Sequence, residues 1–258
     1  MMRTLLFATI VLAGTAFAQF TQSLDNVTQA FTNAKIVPDV LPSFSPRALL
    51  NVTFTDASMQ SVNVTPGIQL TMAQTAQEPQ FFFLANVTIP PNLLYVVAIV
   101  DPDAPTPQNA NISQFRHFLG GGFSVDSTTG LLMNNTAALT DFAPPTPPAG
   151  SDPHRYVVLA YLQPDNFDSI ANQFVNASTN RMNFNITTFA QATNLSAPLA
   201  ANFFLTGPDN SSSTGTSSSA SPSGTSPGGS GGTSDASGKD MLGGLTWFMG
   251  LLVGILLS

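Results

Sequence analysis

The sequence predicts a mainly β domain built as a sandwich, and three observations carry that expectation. Leu50-Asn51-Val52-Thr53-Phe54-Thr55 alternates apolar and polar side chains, the period of a strand with one face buried. Residues 94–100 form a continuous apolar run rich in Val and Ile, which suits a central strand covered on both faces. The connections between strand candidates are rich in Pro and Asn, so they read as long surface loops, and no internal repeat interrupts the pattern.

Taken in chain order, the first element is an export signal. Arg3 precedes an apolar stretch over residues 4–13, and Ala16-Phe17-Ala18 places small residues where a signal peptidase cuts, so residues 1–18 read as a signal peptide. The apolar run is shorter than the roughly 20 residues that span a bilayer. One globular domain then occupies residues 19–208, with further strands expected at residues 81–87 and 156–161. Phe167, Ile170, Phe174 and Val175 have helical spacing, and Asp165 or Asp168 is available as an N-cap, so one amphipathic helix should pack on the sheet. Residues 209–240 collapse into Ser, Gly, Thr and Pro, a composition that cannot bury a core and acts as a flexible stalk. Residues 241–258 are apolar and follow small residues, the layout of a GPI-attachment signal with the lipid expected at Ser230. The alternative is a retained single-pass tail, although only Ser258 follows the apolar run where such anchors carry Lys or Arg.

Composition narrows the function classes. The chain has no cysteine, so disulfides, thiol catalysis and cysteine-zinc sites are excluded. Only 7 basic residues stand against 14 acidic ones, and no basic patch could track a nucleic-acid backbone. Asn-x-Ser/Thr sequons begin at Asn26, Asn51, Asn63, Asn86, Asn111, Asn134, Asn176, Asn185, Asn194 and Asn210, and with an export signal they predict a glycosylated extracellular surface.

Chemical capability concentrates in three segments that follow or precede apolar runs: Asp101-Pro102-Asp103-Ala104-Pro105, Phe115-Arg116-His117-Phe118, and Pro147-Pro148-Ala149-Gly150 leading to His154-Arg155-Tyr156. Both histidines of the chain, His117 and His154, lie there. Two imidazoles can donate N–H bonds to an anion, an aspartate can fix their tautomers, and a Tyr hydroxyl adds a neutral donor, which together describe a small anion pocket with a proline-stiffened rim. Taken singly, the aspartates could cap turns and the histidines could be satisfied core residues. Arg116 is expected to point outward as a solvated charge, the commoner fate of a lone loop arginine.

The D-P-D-A-P run, the R-H-F segment and the P-P-x-G-x-x-x-H-R-Y segment resemble, in order and spacing, the signature of the phosphatidylethanolamine-binding protein family. Residues 36–44 and 200–204 are similar to the family's termini, so the resemblance covers residues 34–205. It implies a sandwich on a large central sheet with a few peripheral helices, and a pocket at one edge. Carried over by position, that pocket comprises Asp101, Ala104, Pro105, Phe115, His117, Pro147, Pro148, His154 and Tyr156. Phe115 stands where members often carry Trp.

The expected function is therefore a binding module without a cofactor. It would take a phospholipid headgroup or another small phosphate-bearing anion, outside the membrane and lipid-anchored to it. A second expectation from the resemblance is inhibition of a secreted serine carboxypeptidase through protein contacts. A third is a metal-dependent hydrolase on Asp101, Asp103, His117 and His154, against which stand the missing H-E-x-x-H and G-x-S-x-G motifs.

Overall fold

The computed structural model describes residues 4–134 and 136–209, with side chains from Gln19 onward. The expected stalk beyond Asp209, the apolar tail, Ser230 and Asn210 lie outside the described residues, as do the side chains of the expected signal peptide. Among the described residues no helix is long and apolar enough to cross a membrane.

Among the described residues, nine strands form two sheets. The strands are β1 (Leu49–Thr55), β2 (Ser61–Asn63), β3 (Ile68–Leu70), β4 (Gln80–Leu84), β5 (Tyr95–Asp101), β6 (Phe115–Val125), β7 (Leu132–Asn134), β8 (His154–Leu162) and β9 (Ala200–Thr206). A three-stranded sheet has the order β2-β1-β4, and a six-stranded sheet the order β3-β9-β8-β5-β6-β7. All pairings are antiparallel except β3 with β9, so the large sheet is mixed. Four helical segments accompany them: α1 (Thr4–Asn33), the single turn α2 (Ile36–Asp39), α3 (Phe167–Phe174) and α4 (Ile186–Ala192).

The layering follows from side-chain alternation in β5 and β8. One face of the large sheet presents Val97, Ile99, Tyr156 and Val158 to Leu50, Val52, Phe54, Phe81 and Phe83 of the small sheet. The other face presents Val96, Ala98, Val100, Val157 and Leu159 to Phe31 of α1, Ile36, Phe167 of α3 and Phe189 of α4. Every residue of β5 is buried, as a continuous apolar run demands when both faces are covered. The mainly β expectation holds, with helices confined to one face of the central sheet. Asn202 in β9 ties the two sheets, its Nδ2 donating to Leu50 O at 2.9 Å and Val64 O at 3.0 Å.

Local details depart from the sequence reading where tertiary contacts decide. Strand β4 ends at Leu84 instead of Val87, because Asn86 and Val87 are exposed in a loop. The N-cap of α3 is Asn166, without a side-chain hydrogen bond, and neither Asp165 nor Asp168 caps it. Asp168 falls in the first turn, where its charge offsets the helix dipole. Of the sequon asparagines, Asn26, Asn51, Asn63, Asn86, Asn111, Asn176, Asn185 and Asn194 are exposed. Asn134 is half-buried, and its Oδ1 accepts from both the backbone and the hydroxyl of Thr136 at 2.7 Å.

Candidate functional site

Sheet topology brings the three flagged segments together. β5 runs antiparallel to both β6 and β8, so its last residue, Asp101, lies beside the first residues of each neighbour: Asp101 pairs with Phe115, and Val100 with Val157. The functional side chains therefore converge at one end of the central sheet, with two loops closing over them. They surround a cavity of about 240 Å³ lined by Asp101, Ala104, Pro105, Ile112, Phe115, His117, Thr146, Pro147, Pro148, His154 and Tyr156. All nine residues expected to form the pocket line it, joined by Ile112 and Thr146, which sequence reasoning missed.

A bulge aims His117. The register skips between Ile99, paired with Phe118, and Val100, paired with Arg116, which leaves His117 unpaired and lets its ring share a face with Phe118 as well as with Phe115. The loop at Ala143 then holds His117 twice: Ala143 N donates to His117 O at 2.8 Å, and His117 Nδ1 lies 2.7 Å from Ala143 O. A carbonyl only accepts, so the proton sits on Nδ1 and Nε2 is left toward the cavity.

Asp101 organises the rest and is 2% exposed. Its Oδ1 accepts from Asp103 N at 2.7 Å and its Oδ2 from His154 Nδ1 at 2.8 Å. His117 Nε2 lies 3.9 Å from the same Oδ2, beyond the usual hydrogen-bond range. Burial works to raise the Asp101 pKa, yet the two imidazoles and the Asp103 amide outweigh it and hold the carboxyl below its ordinary range. Tyr156 packs edge-on against His117 at 5.0 Å between ring centroids. Its pKa is raised by burial and then by the charges of Asp101 and Asp103, so the hydroxyl remains a proton donor. His154 Nε2 lies 3.0 Å from Ser151 Oγ.

Asp103 is turned away from the cavity. Arg155 takes both its oxygens, with Nη2 2.7 Å from Oδ1 and Nε 2.9 Å from Oδ2, and reaches on to Asp39 at 2.9 Å and Ala34 O at 2.7 Å. This strut fixes the 101–105 loop to the α1–α2 junction, and it removes Asp103 from the four-residue metal set considered above. Among the described residues no group of three or more His, Asp or Glu is placed to hold a metal ion.

The outward orientation expected for Arg116 is corrected: the residue is 1% exposed. It alternates with Phe115 to the face opposite the cavity, where its guanidinium covers the Phe184 ring at 4.9 Å. Nε donates to Thr140 Oγ1 at 2.6 Å and the terminal nitrogens reach Thr179 O and Asn180 O. Burial, and then the neighbouring Arg181 charge, push its pKa down to about 10. Arg116 thus anchors the 176–183 loop to the back of β6 instead of serving the pocket.

Fold and site together define a two-sheet domain with a small histidine-lined cavity at one end of its central sheet. The chain belongs to the phosphatidylethanolamine-binding protein family, whose model matches residues 41–204. It is 35% identical over 175 residues to the 26 kDa secreted antigen of Toxocara canis, covering 67% of this chain and 62% of that protein. It is 30% identical over 183 residues to the protein FLOWERING LOCUS T of Arabidopsis thaliana, covering 69% of this chain and 91% of that protein. Among solved structures, the carboxypeptidase Y inhibitor complexed with its cognate proteinase superposes with a TM-score of 0.61 at 26% identity, over 72% of this chain and 96% of the other. The phosphatidylethanolamine-binding protein from Plasmodium vivax, at 18% identity, shares the fold with a TM-score of 0.57, over 70% of this chain and 97% of the other.

Proposed function

We propose that the protein binds phosphate-bearing anionic groups, such as phospholipid headgroups, in this cavity, and that it does so at the extracellular face of the membrane through a GPI anchor. The observation that carries the reading is the convergence of His117, His154 and Tyr156 around buried Asp101 in one cavity. Pro147, Pro148 and Phe115 wall the site with apolar surface, so the polar donors act with little competition from water. Asp101 stays ionised and balances the charge of an imidazolium that donates to the ligand. At about 240 Å³ the cavity is smaller than the roughly 300–1,000 Å³ of drug-sized sites, which suits a headgroup phosphate with its amine and leaves acyl chains outside. Export is supported by the signal-like N-terminus and by the likeness to a secreted antigen. The test is calorimetric titration with phosphorylethanolamine, in which His117→Ala with His154→Ala should abolish the binding that the wild type shows; binding unchanged in the double variant would sink the reading.

A second reading is favoured by the likeness to the carboxypeptidase Y inhibitor, which covers most of this domain. Here the protein inhibits a secreted serine carboxypeptidase by surface contacts. Titration into a carboxypeptidase assay separates the readings: inhibition that survives the double histidine variant would come from a surface other than the cavity.

A further inference from the structure

One polar group beside the cavity has no part in anion binding. Ser151 Oγ lies 3.0 Å from His154 Nε2, His154 Nδ1 lies 2.8 Å from Asp101 Oδ2, and the carboxylate is buried and ionised. We propose that Ser151 is an activated nucleophile that accepts short acyl groups from activated esters, with His154 as its general base and Asp101 positioning that base. This goes beyond the binding reading and does not depend on it.

The geometry meets the requirements of such a relay in order. A nucleophile and its base need heavy atoms within about 2.6–3.2 Å, and the base needs a third group on its far nitrogen. Because a carboxylate can only accept, His154 carries its proton on Nδ1, which leaves a lone pair on Nε2 facing the serine hydroxyl. The serine is held there by a tight turn: Ser151 N donates to Pro148 O at 3.1 Å, and Gly150 takes a left-handed φ of 80° with open space around it. Ser151 as a residue is half-buried. The backbone N–H of Asp152, immediately after the nucleophile, makes no hydrogen bond within the described residues and is available to an oxyanion. The competing role for the hydroxyl is donation to Asp152 O at 2.8 Å, in which case Ser151 merely caps the turn.

With 4-nitrophenyl acetate the step balances as follows. Ser151 Oγ bonds to the carbonyl carbon while its proton passes to His154 Nε2, and the imidazolium so formed is stabilised by Asp101. The carbon–oxygen bond to nitrophenolate breaks, and the leaving group departs with the electron pair. The imidazolium then gives the serine's proton to solvent, which frees Nε2. Water attacks the acetyl-serine with Nε2 taking one of its protons, the bond to Oγ breaks as that proton passes to Oγ, and acetic acid leaves and ionises to acetate.

The experiment exposes the full chain to a fluorophosphonate and to 4-nitrophenyl acetate, with adducts located by peptide mass. One phosphonyl adduct at Ser151 is expected on the folded wild type. It should be absent from urea-unfolded protein and from Ser151→Ala, and unchanged in Ser127→Ala, which alters a distant turn. His154→Gln should slow labelling at least about 100-fold, the usual contribution of a general base. No adduct at Ser151 on the folded wild type, or equal labelling of folded and unfolded chains, overturns the proposal without any variant having to fold. Phosphorylethanolamine binding that persists in a protein without the adduct would leave the binding reading standing and remove the nucleophile.

Discussion

Replacing Asp101 by Asn tests whether a single carboxylate holds the site together. Both oxygens are used as acceptors, Oδ1 from Asp103 N at 2.7 Å and Oδ2 from His154 Nδ1 at 2.8 Å. An amide offers one acceptor, so Asp101→Asn must either oppose an N–H to one of these donors or force His154 into its other tautomer, with its proton on Nε2. Losing a hydrogen bond to a charged group and leaving a buried donor unmet should cost about 2–4 kcal/mol. For a domain of this size that lowers Tm by roughly 6–12 °C, read by calorimetry or urea denaturation. The pH dependence adds a second check. Because the folded-state pKa is depressed, the unfolded chain binds the proton more readily; the carboxylate's stabilisation is complete above the ordinary value of 3.8 and is lost as pH falls through the lowered folded value. The stability gap between wild type and variant should therefore be full at neutral pH and close as the pH drops below 3.8. A variant as stable as wild type at pH 7, or a gap independent of pH, would refute the reasoning.

Three further outcomes follow from single atoms. Asn202→Ala removes two buried inter-sheet hydrogen bonds, to Leu50 O and Val64 O, and should destabilise the protein by about 3 kcal/mol in urea denaturation. Thr206 Oγ1 is buried without a partner among the described residues, so Thr206→Val, which keeps the shape, should raise stability by about 1 kcal/mol; a fall would mean the hydroxyl is satisfied. Since His117 Nδ1–H is committed to Ala143 O, donation to an anion must use Nε2–H, and phosphorylethanolamine binding should take up protons. Titrations in two buffers of different ionisation enthalpy measure that uptake, and identical heats would contradict it.

What could be read from the sequence tracks how local the determining interactions are. β5 was legible because both its faces meet apolar layers, and the pocket residues because both histidines of the chain fall in short polar segments at the ends of apolar runs, each beside an arginine and close to an aromatic residue. β6 was not legible as an 11-residue strand, since Gly120-Gly121-Gly122 carries no period. Those glycines answer to distant partners: a Cβ on Gly121 would meet the Phe167 ring at 2.8 Å, and Gly122 takes a φ of 72° where the register with β5 slips. The bulge at His117 has no signal in sequence, yet it decides where the imidazole points. The burial of Arg116 has no sequence signal because its guanidinium needs three acceptors, Thr140 from the segment after β7 and Thr179 and Asn180 from the 176–183 loop, which only the folded chain brings together. Ile112 and Thr146 join the site through tertiary closure alone.

The most direct test of the account uses the fact that the chain has only 2 histidines, so a nitrogen-15 spectrum of the imidazoles reports on His117 and His154 without other signals. On titration with phosphorylethanolamine both rings should shift in a saturable way, with His117 Nε2 moving to the protonated form while Nδ1 keeps its hydrogen bond to Ala143. Saturable binding that leaves both imidazoles unmoved would place the ligand elsewhere and contradict the account.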